Sequence, residues 1–252
     1  MDAELGEDRT ARASENQDLP GNVDAGPRAD RHREGVGWDL PEAGDLAAMA
    51  NSRRRKDAPP AGGACALLLV DVINDLEFDG GEDLFRYALP AMKRLAALVH
   101  RARRADVPVI YANDNFGHWR SDFNAIVRHC LDEDVRGRPI AKLLAPEQSD
   151  YFVLKPKHSA FFSTALDTLL HSLGTKRLVL AGLAGDICVL FTAHDAHMRE
   201  YELFVPSDCI ASESVASNKW ALEHMRRFLR CDTRIGARID LRRLDRAAAA
   251  KR

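Results

Sequence analysis

Three side chains, far apart along the chain, have the types needed for acyl transfer: Asp71, Lys155 and Cys188. Cys188 lies in the stretch Arg177 to Ala196, RLVLAGLAGDICVLFTAHDA. Four apolar residues there, Leu178 to Ala181, suit a strand covered on both faces. Gly182 and Gly185 allow a sharp turn, and Asp186 is placed to cap a helix opening on Cys188. In the first turn of a helix, unpaired N–H groups and the helix dipole favour the thiolate form. Asp71 closes the apolar run Cys65 to Val70, CALLLV, and Lys155 follows Tyr151 to Leu154. Both therefore stand at the carboxyl ends of expected strands. A thiol with a pKa near ~8.5 is only a few per cent ionised at pH 7, so it needs a base and a cation beside it. Asp71 can take the Cys188 proton and return it to a leaving group, and Lys155 can hold the carboxylate and steady the thiolate. Pro156 restricts Lys155 to extended backbone, which fixes where its side chain points.

Each residue alone has an ordinary explanation. Free cysteines are commonly buried as small hydrophobes, a strand-end Asp is commonly a turn former, and Lys155 reads as a surface lysine. The three together, at corresponding strand ends, carry the argument. In an open parallel sheet, ligands bind beyond the carboxyl ends at the point where strand order reverses.

The elements that must position them follow from pattern. After Gly80-Gly81, Leu84 to Arg104 has helical spacing through Leu89, Met92, Leu95, Leu98 and Val99. Val107 to Ala112 reads as a second strand and Asp122 to Cys130 as a short helix. Ser163 or Thr164 caps a helix through Leu173, with Asp167 completing a capping box. Glu202 to Val205 is a fifth strand, Ser217 to Leu229 a helix and Thr233 to Ile239 an edge strand. The tail after Asp240 reads as a surface helix. Alternating strands and helices predict an α/β fold, a three-layer, mostly parallel Rossmann-like sheet with helices on both faces.

At 252 residues with a formal net charge of −2, the chain has room for one α/β domain, and no global charge draws it to nucleic acid or membrane. No apolar run approaches the ~20 residues of a membrane helix, and the polar N-terminus is no secretory signal. The five cysteines are scattered, odd in number and never in C-x-x-C. That spacing argues against a disulfide framework and for a reducing, cytoplasmic setting. Residues 1–62 read as a disordered or loosely docked arm, with a docking segment at Trp38 to Met49 and a basic run Arg53 to Lys56. Residues 63–252 read as the domain. Neither the dinucleotide nor the P-loop glycine motif is present.

The chain from Ala64 to about Ile239 resembles the isochorismatase-like cysteine hydrolase superfamily, which includes nicotinamidases and carbamoylsarcosine amidohydrolases. Asp71-Val72-Ile73-Asn74-Asp75 is similar to its D-x-x-N-D motif, and Lys155 to Phe161 to its K-x-x-x-S-A-F segment. Gly182 to Val189 is similar to its nucleophile turn. The resemblance implies Cys188 as nucleophile, Asp71 as general acid/base and Lys155 as third triad member. It also implies a cis Leu183–Ala184 bond and an oxyanion hole from the N–H groups of Ala184 and Cys188. The metal motif D-x-H of nicotinamidases is absent from Asn113 to Arg120, which holds the single histidine His118, so no metal or cofactor is expected. Asn74, Asn113, Asn115, Trp119 and Phe161 are candidate substrate contacts, with Arg120 and Phe162 near them. His194 and His197, three apart on the helix after Cys188, favour a surface or interface role.

The expected activity is hydrolysis of a small amide or carbamoyl compound through a thioester, by a homo-oligomer as is common in the superfamily. Aspartate-driven vinyl ether cleavage on the same fold is the first alternative. A non-catalytic binding protein on this scaffold is the second, and a redox-sensing cysteine, with Cys209 as partner in space, is the third.

Overall fold

The computed structural model describes residues 64–114 and 122–246. The expected arm, the basic run, Asn115, His118, Trp119 and Arg120 lie outside the described residues.

Five strands form a path in the order β3-β2-β1-β4-β5, every pairing parallel. They are β1 (Cys65–Val70), β2 (Val109–Asp114), β3 (Tyr151–Lys155), β4 (Arg177–Leu183) and β5 (Glu202–Phe204). A two-residue strand β6 (Ile210–Ala211) pairs with the end of β4. All six residues of β1 are buried, as are all of β4 but Arg177. An unbroken apolar run is what a strand covered on both faces requires.

The helices are α1 (Gly81–Arg103), α2 (Phe123–Asp132), α3 (Arg138–Leu143), α4 (Leu166–Ser172), α5 (Leu190–Met198), α6 (Val215–Phe228) and α7 (Leu241–Arg246). The chain runs β1 to β2 to β3 in one direction, then returns past β1 to lay down β4 and β5. Right-handed crossovers then place the earlier and later helices on opposite faces. The order reverses between β1 and β4, the place where open parallel sheets bind ligands, and Asp71 and the turn after β4 stand at that end.

Three local differences from the sequence pattern have physical causes. The second strand starts and ends two residues later than Val107 to Ala112, because Asn113 and Asp114 pair with Leu154 and Lys155. The helix α4 starts at Leu166, beyond Ser163, which sits at φ 54°. There Thr164 Oγ1 accepts the Leu166 N–H (3.1 Å) and donates to Ala160 O (2.6 Å), so Asp167 closes no capping box and pairs with Arg199 instead. The expected edge strand over Thr233 to Ile239 reduces to one bridge, Phe204 to Asp232, and a 3-10 turn, Gly236–Arg238. The Gly236 N–H donates to the Asp208 carboxylate (2.7 Å), which takes it out of any ladder. Helix α3 has too short an apolar period to be read from sequence.

Gly182 is the tightest joint in the sheet. It pairs with Val70, the residue before Asp71, at φ +123°, and a Cβ there would stand 2.1 Å from the Val70 carbonyl oxygen. Gly182→Ala is expected to lower stability by about 3 kcal/mol or more, from backbone overlap plus the left-handed φ. Thermal unfolding should show a fall of about 10 °C, and an unchanged midpoint would contradict the close approach.

Candidate active site

The site begins with a backbone departure. Asp71 continues the β1 ladder through its N–H to Ala112 O (2.9 Å), then turns away at φ 50°. That conformation costs a non-glycine residue roughly 1–2 kcal/mol, and Asp is among the residues that tolerate it best. It leaves the carboxylate in a buried position from which it meets three partners. Oδ1 accepts the Asp114 N–H (2.8 Å), Oδ2 pairs with Lys155 Nζ (2.8 Å), and the charge of the same carboxylate acts on the neighbouring Cys188 thiol.

Lys155 is wholly buried at the end of β3. Its ammonium also donates to Lys157 O (3.2 Å) and stands 3.6 Å from both Cys188 Sγ and Asp114 Oδ2. The geometry therefore brings Asp71, Lys155 and Cys188 together. Asp114 belongs with them and was not singled out by sequence. Its signal was the parallel register, which sets it beside Lys155, and an Asp two residues past an apolar run offers no hint of that. His158 is a second addition, with Nδ1 3.8 Å from Cys188 Sγ and its ring against Phe191.

Cys188 does not open an α-helix. It is the fourth residue of a π-turn, Gly185–Val189, that runs into α5. The Ala184 carbonyl accepts the N–H groups of Ile187 (3.2 Å) and Val189 (3.1 Å). Asp186 is no N-cap either; its own N–H donates to Ser212 Oγ (3.1 Å). The Cys188 carbonyl accepts from Thr192 Oγ1 (2.7 Å), which in turn accepts the Ala160 N–H (3.0 Å). Ser159 Oγ donates to Asp195 and accepts the Phe161 N–H. The Ser159-Ala160-Phe161 segment thus staples the loop after Lys155 to the helix behind the nucleophile.

The electrostatics correct the expectation of a resting thiolate. Burial and the Asp71 charge push the Cys188 thiol up to about 12, against the pull of Lys155. Burial also lifts the Asp71 carboxyl above its usual range, while Lys155 and the hydrogen bonds oppose it. For Lys155, burial disfavours the charge, and Asp71, Cys188 and Asp114 outweigh it and hold the ammonium. These directions favour a protonated sulfur beside a carboxylate that Lys155 helps to keep charged.

Two of the candidate substrate contacts have other work. Asn113 is fully buried, and its Nδ2 donates to Ile73 O (2.6 Å), clamping the two strand ends. Phe161 is buried against Tyr201, with the Arg199 guanidinium over its ring at 4.7 Å. Neither presents a face to a substrate. Asn74 Oδ1 accepts the Leu76 N–H (2.8 Å) and shapes the turn after Asp71. Phe162, by contrast, is exposed. His194 Nε2 lies 3.0 Å from His224 Nε2 on α6, which leaves His197 out of the pairing. Among the described residues, no three His, Cys, Asp or Glu side chains gather as a metal site. No helix among them is long and apolar enough to cross a membrane.

The family model described as the isochorismatase domain matches residues 65–234. An uncharacterized isochorismatase family protein of Bacillus subtilis, YaaI, is 46% identical over 164 residues, covering 65% of this chain and 90% of that protein. The ureidoacrylate amidohydrolase RutB of Methylorubrum extorquens is 30% identical over 173 residues, covering 58% of this chain and 68% of its own length. Among solved structures, N-carbamoylsarcosine amidase from Thermoplasma acidophilum superposes with a TM-score of 0.54 at 26% identity, over 70% of this chain and 98% of that one.

Proposed function

This chain belongs to the isochorismatase family, and on that premise we propose that it is a cysteine-dependent hydrolase of a small amide or carbamoyl compound. The observation that carries the reading is one ammonium, Lys155, placed 2.8 Å from the Asp71 carboxylate and 3.6 Å from the Cys188 sulfur at the strand-order reversal. The names of RutB and of the carbamoylsarcosine amidase favour the class of substrate, since both act on a carbonyl bonded to nitrogen.

The reaction runs in two halves. Asp71 takes the Cys188 proton as sulfur attacks the carbonyl carbon, and the C–O π electrons move to oxygen. The N–H groups of Ala184 and Cys188 receive that oxyanion, each donor worth about 3 kcal/mol. The C–O double bond re-forms, the C–N bond breaks, and Asp71 gives its proton to the departing nitrogen, leaving a thioester on Cys188. A water then gives a proton to Asp71 while its oxygen attacks the thioester. The C–S bond breaks, the proton returns to sulfur, and the acid leaves. Lys155 steadies the carboxylate throughout and lowers the cost of charge on sulfur.

All five cysteines are free, which suits a reducing compartment, so a cytoplasmic setting is part of the reading. Homo-oligomerisation is too: Trp220 and Phe228 stand exposed on α6 on either side of His224.

A panel of small amides, ureas and carbamates, assayed for ammonia or amine release, tests the proposal. Turnover of one member is expected, and Cys188→Ala should abolish it. Undiminished amine release in Cys188→Ala would sink the thioester route. Silence across the panel, with vinyl ether substrates cleaved, would do the same.

A further inference from the structure

At the other end of the sheet from Cys188, where α1 ends and before β2 begins, a hollow of about 640 Å³ lies among Arg101, Arg104, Arg238 and Arg242. The carboxyl-end site stands roughly 20 Å away along the strands. We propose that this hollow binds a phosphorylated small molecule.

The four arginines come from three elements: the end of α1, the 3-10 turn and α7. The negative end of the α1 dipole accounts for basic residues in that helix's last turn, but not for Arg238 and Arg242, which other elements deliver. None of the four forms an ion pair with a carboxylate among the described residues. The contrast with the neighbouring surface is direct. There Arg177 pairs with Glu202 (2.7 Å) and Arg234 with Asp232. The one acid at the hollow, Asp240, accepts the Arg243 N–H (3.1 Å) at the start of α7, and its single negative charge leaves the four arginines in excess.

The wall is also built rather than incidental. Arg101 reaches across to the carbonyls of Gly236 and Ile239, tying α1 to the turn that carries Arg238. Arg104 and Arg238 are exposed, with no hydrogen bond from either guanidinium, so two planar forks face the hollow with their donors unspent. Such forks match phosphate oxygens two at a time, which ammonium groups cannot do. Four like charges around one space repel each other until an anion enters. The volume falls in the range of small-molecule sites, roughly 300–1,000 Å³, so it has room for a sugar or nucleoside beyond the phosphate.

Titration calorimetry on the full chain, with pyrophosphate and ATP as probes and citrate as comparator, tests the proposal. One saturable site is expected for the phosphates, weakening as salt rises. Arg104→Ala with Arg238→Ala should weaken it by at least about tenfold, since each removes a charge-assisted fork. Both side chains lack folded-state bonds, so the double variant should keep the parent melting temperature. ATP should raise the melting temperature of the parent and not of the variant. Arg227→Ala, on α6, should bind like the parent. Absence of saturable binding, an equal loss in Arg227→Ala, or citrate binding as well as the phosphates would each overturn the proposal. If the double variant melts early, Arg104→Lys with Arg238→Lys decides: retained charge with lost phosphate affinity supports the fork, and retained affinity overturns it.

Discussion

Asp71→Asn is expected to lower kcat/KM by about 10³-fold, the middle of the range for a lost general acid/base, while the protein still folds. Asn is at ease at the positive φ of this position and nearly matches the carboxylate in volume, so the backbone has no reason to move. What disappears is the proton acceptor. A second measurement separates chemistry from damage. Asp71 is one of the groups pushing the Cys188 thiol up, and Lys155 pulls it down. With the carboxylate gone, the thiol ionises more readily, so iodoacetamide should label Cys188 faster in the variant than in the parent. Slower turnover with faster alkylation confined to Cys188 separates the lost charge from misfolding, which would expose the four buried cysteines to the reagent as well. Turnover within tenfold of the parent would remove Asp71 from the mechanism. The parent's own pH profile follows from the same charges. Activity needs Asp71 ionised, so kcat/KM falls as pH drops through a value above the ordinary 3.8. On the alkaline side no limb is expected near the ordinary thiol value of 9.0.

Lys155→Met is the other large effect. It leaves two carboxylates, Asp71 and Asp114, beside a space the ammonium filled. Breaking a buried pair in this way costs about 3–5 kcal/mol while the stranded charge persists. Asp71 can escape that cost by taking a proton, so its pKa climbs further and the loss becomes pH-dependent. The sign is fixed by which state ionises first. The unfolded carboxyl ionises near 3.8 and the folded one later, so stability is present below 3.8 and is lost as pH rises through the folded value. Chemical denaturation at pH 5 and pH 8 should find the variant closer to the parent at the lower pH. At pH 7 its kcat/KM should fall by about 10²-fold or more, with the acid limb moved upward. A variant equally destabilised at both pH values would show that Lys155 fills space rather than balances charge.

Most of this site was legible because its parts are strand ends. CALLLV before Asp71, YFVL before Lys155 and the apolar run before Gly182 each announce a buried parallel strand. Parallel strands deliver their last residues to one edge. The register was not legible, and Asp114 entered the site only through its pairing with Lys155. Asn113 misled for the same reason, since alternation sends it to the other face, where it clamps Ile73. The ionisation state of Cys188 was hidden as well. A helix start argues for a thiolate, but burial and a neighbouring carboxylate are tertiary facts and they win. The 3-10 turn over Gly236–Arg238 replaced an expected strand because Asp208, 28 residues earlier, captures the Gly236 N–H.

Burial and the Asp71 charge keep the resting Cys188 sulfur mostly protonated at pH 7. Hydrogen peroxide attacks thiolates, so the idle enzyme offers it almost no target. The four other cysteines are buried and give it no easier entry. The sulfur becomes oxidisable only when Asp71 draws off its proton, and by then an acyl group is forming on it. The proton that catalysis moves is therefore expected to slow oxidation of the idle sulfur.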